Sequence, residues 1–244
     1  MFKSIMTRLG IGGAVLDARL DRDALRVGER LTGVLHVSGG DGSLTASRAQ
    51  LRLMTRADHE EHTVNAVIAG VSIPGPIRLE GEHQIPFALD VPAFTPVTAY
   101  GGRVFVWLAS ELDVAMAVDP SDRDALDVHP APEQEAVLVA MEQLGFRLAK
   151  TDVEARSSWQ GRPFVQEFEF RPVSHAQRRF DEVEIVFEGL GRGRADLLVQ
   201  LDRSARSLSG LFMEAAGMDE SWRRVTVDAS SPQAAIAGLQ HVLA

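Results

Sequence analysis

The 244-residue sequence predicts an all-β protein built from two tandem β-sandwich domains with a few short helices. Three observations predict it. Apolar residues recur at every second position in many short runs, the period of a strand with one buried face. Glycine- and proline-rich turns punctuate those runs. A proline- and acid-rich stretch near the middle, DPSDRDALDVHPAPEQE, divides them into two series.

The elements read in order as follows. Phe2, Ile5, Met6 and Leu9 fall at helical spacing over about two turns, and Gly10, Gly12 and Gly13 end the pattern. So short a helix is marginal alone in water. It has three docking places: its own protein, which is favoured, a partner, or a membrane surface. Strands follow from Ala14 to Leu20 and from Leu31 to Val37, with the turn SGGDGS after them. Leu51, Leu53 and Thr55 alternate with Arg52, Met54 and Arg56, and a further strand runs from Glu61 to Ala69. VSIPGPIR reads as a loop by composition.

In HQIPFALDVP, Ile85, Phe87, Leu89 and Val91 form one apolar face. Pro86 and Pro92 lack amide protons, so this strand belongs at a sheet edge, or each proline marks a strand end. After TPVTAYGG, residues 103–118 form a long strand run that is apolar on both faces in its first half, as suits a central strand. The mid-chain stretch reads as the linker, and Ala136 to Leu144 as a helix stopped by Gly145. A second strand series covers Phe146 onward, Phe164 to Phe170, Val183 to Phe187, Ala195 to Leu201 and Trp222 to Asp228. Ser207 to Ala216 reads as a helix, and Ser231-Pro232 begins a terminal helix with serine as N-cap and proline at N1. The predicted domains are a helix at 1–12, sandwiches at 13–128 and 129–229, and a helix at 230–244.

Composition narrows the function. Hydrophobic residues make up 45% of the chain and charged residues 24%, which supports a buried core and argues against bulk disorder. There is no cysteine, so disulfides, thiol catalysis and thiolate metal sites are excluded. The net charge of −9 argues against general nucleic-acid binding. The charge is uneven: residues 1–56 carry +4, residues 57–150 carry −10 and residues 151–244 carry −3. The favoured reading is complementary faces within one domain, ahead of a basic patch near the N-terminus that meets an acidic partner. Neither a membrane-spanning run nor a signal-peptide core is visible, so the expected location is cytoplasmic and no membrane partner is assigned.

Candidate chemistry is sparse. In DHEEH, His59 and Glu61 face one way on a strand and His62 the other, which disfavours a metal site. Asp119, Asp122, Asp124 and Asp127 lack the glycine and spacing of a calcium loop. They form either a solvated linker or an inter-domain ion-pair cluster through Arg123. GLGRGR lies between two strands, not before a helix, so it is a hairpin loop displaying Arg192 and Arg194 rather than a phosphate cradle. No serine has a nucleophile-elbow context. No catalytic, metal or cofactor residue is assigned.

Several motifs resemble a known family. GERLTGVLHV, with Gly28, Glu29 and Gly33, resembles an early strand of arrestin-like domains, and HQIPFALDVPAFTP resembles the proline-flanked strand of that superfamily. Together with LDVAMAVDPSDRD, LVAMEQLGF, RPFVQEFEFRP and LDRSARSLSGLFMEAAGMDES, the chain is similar to the bacterial sporulation-control protein family. That family also occurs in bacteria that do not sporulate. The resemblance implies two arrestin-like sandwiches, a regulatory or scaffolding role and no known catalytic site. It also implies a polar contact between domains, for which Asp119, Asp122, Arg123 and Asp124 are the candidates. The expected partner is another protein, met through Phe2, Ile5, Met6, Leu9, Arg192 and Arg194, the loops 38–47, 70–79 and 95–102, and the domain seam. Exposed sheet edges leave room for a homodimer. The alternatives are a metal-dependent enzyme and a membrane-peripheral adaptor.

Overall fold

The computed structural model describes residues 13–40, 42, 44–100, 103–115, 119–159, 161–174, 180–202 and 222–243. The helices expected at 1–12 and 207–216, and with them Phe2, Ile5, Met6 and Leu9, lie outside these residues. The chain is mostly β, with two helices among the described residues, and divides into two compact units. One comprises residues 1–99 and 104–129, the other residues 100–103 and 130–244.

The N-terminal unit contains two sheets. Strands β1 (Val15–Leu20), β3 (Arg30–Ser38) and β6 (Glu82–Asp90) form the first, in the order β1-β3-β6. The second runs β5-β4-β7-β8-β2, from β5 (His62–Arg78), β4 (Thr45–His59), β7 (Val106–Val114), β8 (Ser121–His129) and β2 (Ala24–Arg26). Every pairing is antiparallel except β2 with β8. The two-residue rhythm does the folding: Leu31, Leu35 and Val37 of β3 are buried, as are Leu51 and Leu53 of β4 and Leu108 and Leu112 of β7. Each fully buried leucine contributes about 1.5–3 kcal/mol relative to exposure.

Two strands explain the prolines. Pro86 lies opposite Val34 on β6, an edge strand, and Phe87 and Leu89 are buried while Pro86 and Ala88 are exposed. Pro92 falls beyond the strand end. VSIPGPIR is not a loop. It completes β5, which among the described residues pairs only with β4, and Pro74 and Pro76 are exposed. An edge strand spares the missing amides, which is why composition misleads here. Gly33, inside β3, faces Phe87 across the ladder. A Cβ there would meet Arg19 O at 2.4 Å and Phe87 Cζ at 2.9 Å, so the ring needs the glycine.

The mid-chain stretch also departs from expectation. Residues 121–129 are not linker but strand β8, paired to β7 and β2, and the N-terminal unit ends at His129. Asp122, Leu126 and Val128 are buried and Arg123, Ala125 and Asp127 exposed. Acids at the inward positions hide the alternation from composition.

In the C-terminal unit, β9 (Phe146–Trp159), β10 (Arg162–Pro172), β11 (Glu182–Gly191), β12 (Arg194–Asp202) and β13 (Trp222–Asp228) form an antiparallel meander. Phe164, Phe168, Phe170, Val183, Ile185, Leu197 and Val199 are buried in it. Helices α1 (Pro132–Gln143) and α2 (Pro232–Leu243) pack against this sheet and each other. α1 starts before the apolar run at 136, because Pro132 opens its first turn and Gln134 Oε1 accepts the Ala131 amide at 3.0 Å. It ends at Gly145, with φ at 87°. α2 begins as expected, with Ser231 Oγ accepting the Ala234 amide at 3.2 Å.

Candidate interaction surfaces

Strand alternation separates the predicted polar residues. Asp119 Oδ1 accepts the Val114 amide at 2.8 Å and closes the β7–β8 connection. Asp122 is 3% exposed. Its Oδ2 accepts the Ala18 amide of β1 at 2.8 Å, and its Oδ1 accepts the Arg123 amide at 2.8 Å. One carboxylate thereby ties the edge of the first sheet to a strand of the second, where no ladder joins them. Asp124 comes next on the same side of β8. Burial pushes its carboxyl up to about 7, aided by the charges of Asp122 and Asp17. Arg123 points to the other face, its guanidinium 3.8 Å from the Trp107 ring centre. These partners all lie in the N-terminal unit.

The other candidates sit on hairpins. His59 and His62 pair across the β4–β5 turn, with ring centres 5.0 Å apart and Glu60 at a φ of 53°. Among the described residues no group of three or more His, Asp or Glu side chains is arranged to hold a metal ion. Arg192 and Gly193, both at positive φ, form the two-residue turn between β11 and β12. Arg192 and Arg194 are exposed there, and the Gly193 amide donates to Glu133 Oε1 of α1 at 3.1 Å.

Two features were not found from the sequence. The first is an acidic face on the C-terminal sheet. The register sets Glu167 opposite Asp152, Glu169 opposite Glu184, and Glu182 opposite Asp202. Like charges directly opposite are unfavourable. Arg156 relieves Glu167 at 3.3 Å, and Arg171 bridges Glu169 at 2.7 Å and Glu182 at 3.2 Å. The relief is incomplete. Burial first, then acidic neighbours, pushes Glu184 up to about 8. Burial pushes Glu167 up to about 7 against the pull of Arg156. Gln200, opposite Glu184 and 5% exposed, has a buried Oε1 with no partner. Beyond these acids Glu188, also buried, takes a two-pronged ion pair from Arg224 at 2.5 and 2.8 Å.

The second feature is an arginine-rich outer face on the β5-β4-β7-β8 sheet. Arg48 pairs with Asp113 at 3.0 Å and Arg52 with Glu111 at 3.5 Å. Arg56 instead lies over Phe105, 5.2 Å from the ring centre, as Arg123 lies over Trp107. Burial, then the nearby Arg56 charge, lowers the Arg123 pKa.

These arrangements hold protons, bridge sheets and present charge. The sequence model of the family described as SpoOM protein matches residues 2–205. The chain belongs to the SpoOM protein family. One SpoOM relative, the sporulation-control protein spo0M of Bacillus subtilis (strain 168), is 38% identical over 232 residues, covering 92% of this chain and 89% of the relative. The crystal structure of Spo0M, sporulation control protein, from Bacillus subtilis matches with a TM-score of 0.84 at 34% identity, covering 96% of this chain and 98% of that one. For this SpoOM-family chain no described helix is long and apolar enough to cross a membrane.

Proposed function

We propose that this chain is a non-catalytic regulatory protein that acts by binding other proteins, in sporulation control or in the corresponding process of its own cell. The observation that carries the reading is the match to a sporulation-control protein over nine-tenths of both chains. The structure adds physical support. The strongly shifted carboxyls, Asp124, Glu167 and Glu184, sit on strands and are raised first by burial. Rigid sheets with the free edge of β5 and exposed hairpins suit display to a partner.

The test is deletion of the gene in its own cell, with affinity capture of the full chain after in-cell crosslinking. A regulatory phenotype and a stoichiometric protein partner are expected, with sporulation altered in a spore-forming host. Turnover of a small molecule, or a stoichiometric metal in the purified chain, would overturn the reading.

A further inference from the structure

The outer face of the β5-β4-β7-β8 sheet treats its arginines in two ways. Arg48 and Arg52 are matched to Asp113 and Glu111. Arg56 and Arg123 are exposed, and among the described residues neither has a carboxylate partner. Both are instead fixed by stacking. Phe105 and Trp107 are two residues apart in an extended segment, so their side chains leave one face from Cα atoms about 7 Å apart, Phe105 exposed and Trp107 buried. Strands β4 and β8 flank β7 on opposite sides. Each sends one guanidinium over one ring, Arg56 over Phe105 and Arg123 over Trp107. Their places over the rings restrain both groups, so less freedom is lost on binding. Burial first, then repulsion from Arg56, disfavours the charge on Arg123. An anion placed across them would relieve that repulsion. Beside them Phe105 and Val67, each 47% exposed, offer apolar surface.

We propose that this face docks an extended acidic segment of a partner protein. Carboxylates two residues apart on such a segment are themselves about 7 Å apart on one side. Each of the two guanidiniums, one from either side of β7, can take one such carboxylate with paired hydrogen bonds. The intervening side chains meet solvent or the apolar surface of Phe105 and Val67. The inference rests on the binding reading given above and adds the surface and the partner's chemistry.

The test uses the full chain and a capped peptide of four Glu-Ala repeats. Binding is followed by titration calorimetry and by tryptophan emission, with Trp107→Phe identifying the reporting ring. The peptide is expected to bind, more weakly as salt rises, and to change the Trp107 signal. The Arg56→Gln/Arg123→Gln double variant should lose about tenfold or more in affinity. Arg48→Gln, which removes a paired arginine, should change it less than about twofold. Circular dichroism should show the arginine variants folded, since their substituted side chains are exposed, and should confirm the fold of Trp107→Phe, whose ring is buried. The inference is overturned if the peptide does not bind, if a Gln-Ala peptide binds equally, or if the double variant keeps full affinity. It is also overturned if inorganic phosphate or phosphatidylglycerol vesicles bind through these arginines while the peptide does not. A native partner captured equally by wild type and double variant would sink this inference and leave the binding reading standing.

Discussion

Removing the Asp122 carboxylate should loosen the N-terminal unit at one place. Asp122→Ala strips the acceptor from two amides, those of Ala18 and Arg123, each now bonded at 2.8 Å. The Ala18 amide is buried, and leaving a buried donor unmet costs about 1–3 kcal/mol. The Arg123 amide is partly buried and falls at the low end of that range. The sum is about 3 kcal/mol, reduced somewhat because Asp124 loses an acidic neighbour. For a domain of this size that is a fall of about 10 °C in Tm. Asp122→Asn keeps one acceptor but turns an NH2 toward the other amide, and should cost about half as much. Because the chain has two units, a whole-chain melt need not be two-state. The decisive assay is therefore local: hydrogen exchange at the Ala18 amide, alongside urea unfolding. Faster exchange at Ala18 in both variants is expected. A loss under about 0.5 kcal/mol with unchanged Ala18 exchange would refute the idea that Asp122 joins the two sheets.

Stability should also depend on pH in an unusual direction. Asp124 at about 7, Glu167 at about 7 and Glu184 at about 8 all stand above their unfolded values, so between about pH 4 and 8 the native state holds more protons than the unfolded chain. Unfolding free energy should fall as pH rises through that window, and Asp124→Asn and Glu184→Gln should each flatten the fall when measured by urea titration at several pH values. Gly33→Ala should cost about 1–3 kcal/mol, since its methyl would overlap the Arg19 carbonyl and the Phe87 ring; Phe87→Leu in the same chain should recover part of the loss in thermal melts. Ser231→Ala should remove the α2 cap and cost about 1 kcal/mol, read by urea unfolding of the C-terminal unit.

What the sequence showed and hid follows from locality. The rhythm of Leu31 to Val37 and of Phe164 to Phe170 was visible because one strand carries its own inward and outward faces. The Ser231 cap was visible because its partner is three residues away. β8 was hidden because Asp122 occupies an inward position that composition assigns to solvent, and only the distant Ala18 amide explains it. The second half of β5 was hidden because Pro74 and Pro76 look like loop residues until the strand is known to be an edge. The glutamates of β10 and β11 alternate with apolar residues as a solvent face would, and the opposition of Glu169 and Glu184 arises only when the strands pair. The stacking of Arg56 and Arg123 depends on both reaching β7 from opposite sides, which no local pattern records.

The most direct test of the central claim, that this protein works by binding and not by catalysis, is a complementation measurement. The full chain carrying Asp124→Asn, Glu167→Gln and Glu184→Gln together removes the carboxyls best suited to proton transfer near neutrality. Expressed in cells lacking the native chain, it should restore the regulatory phenotype and capture the same partner as the wild type. A folded variant that captures the partner but fails to restore the phenotype would contradict the account and point to chemistry at those groups.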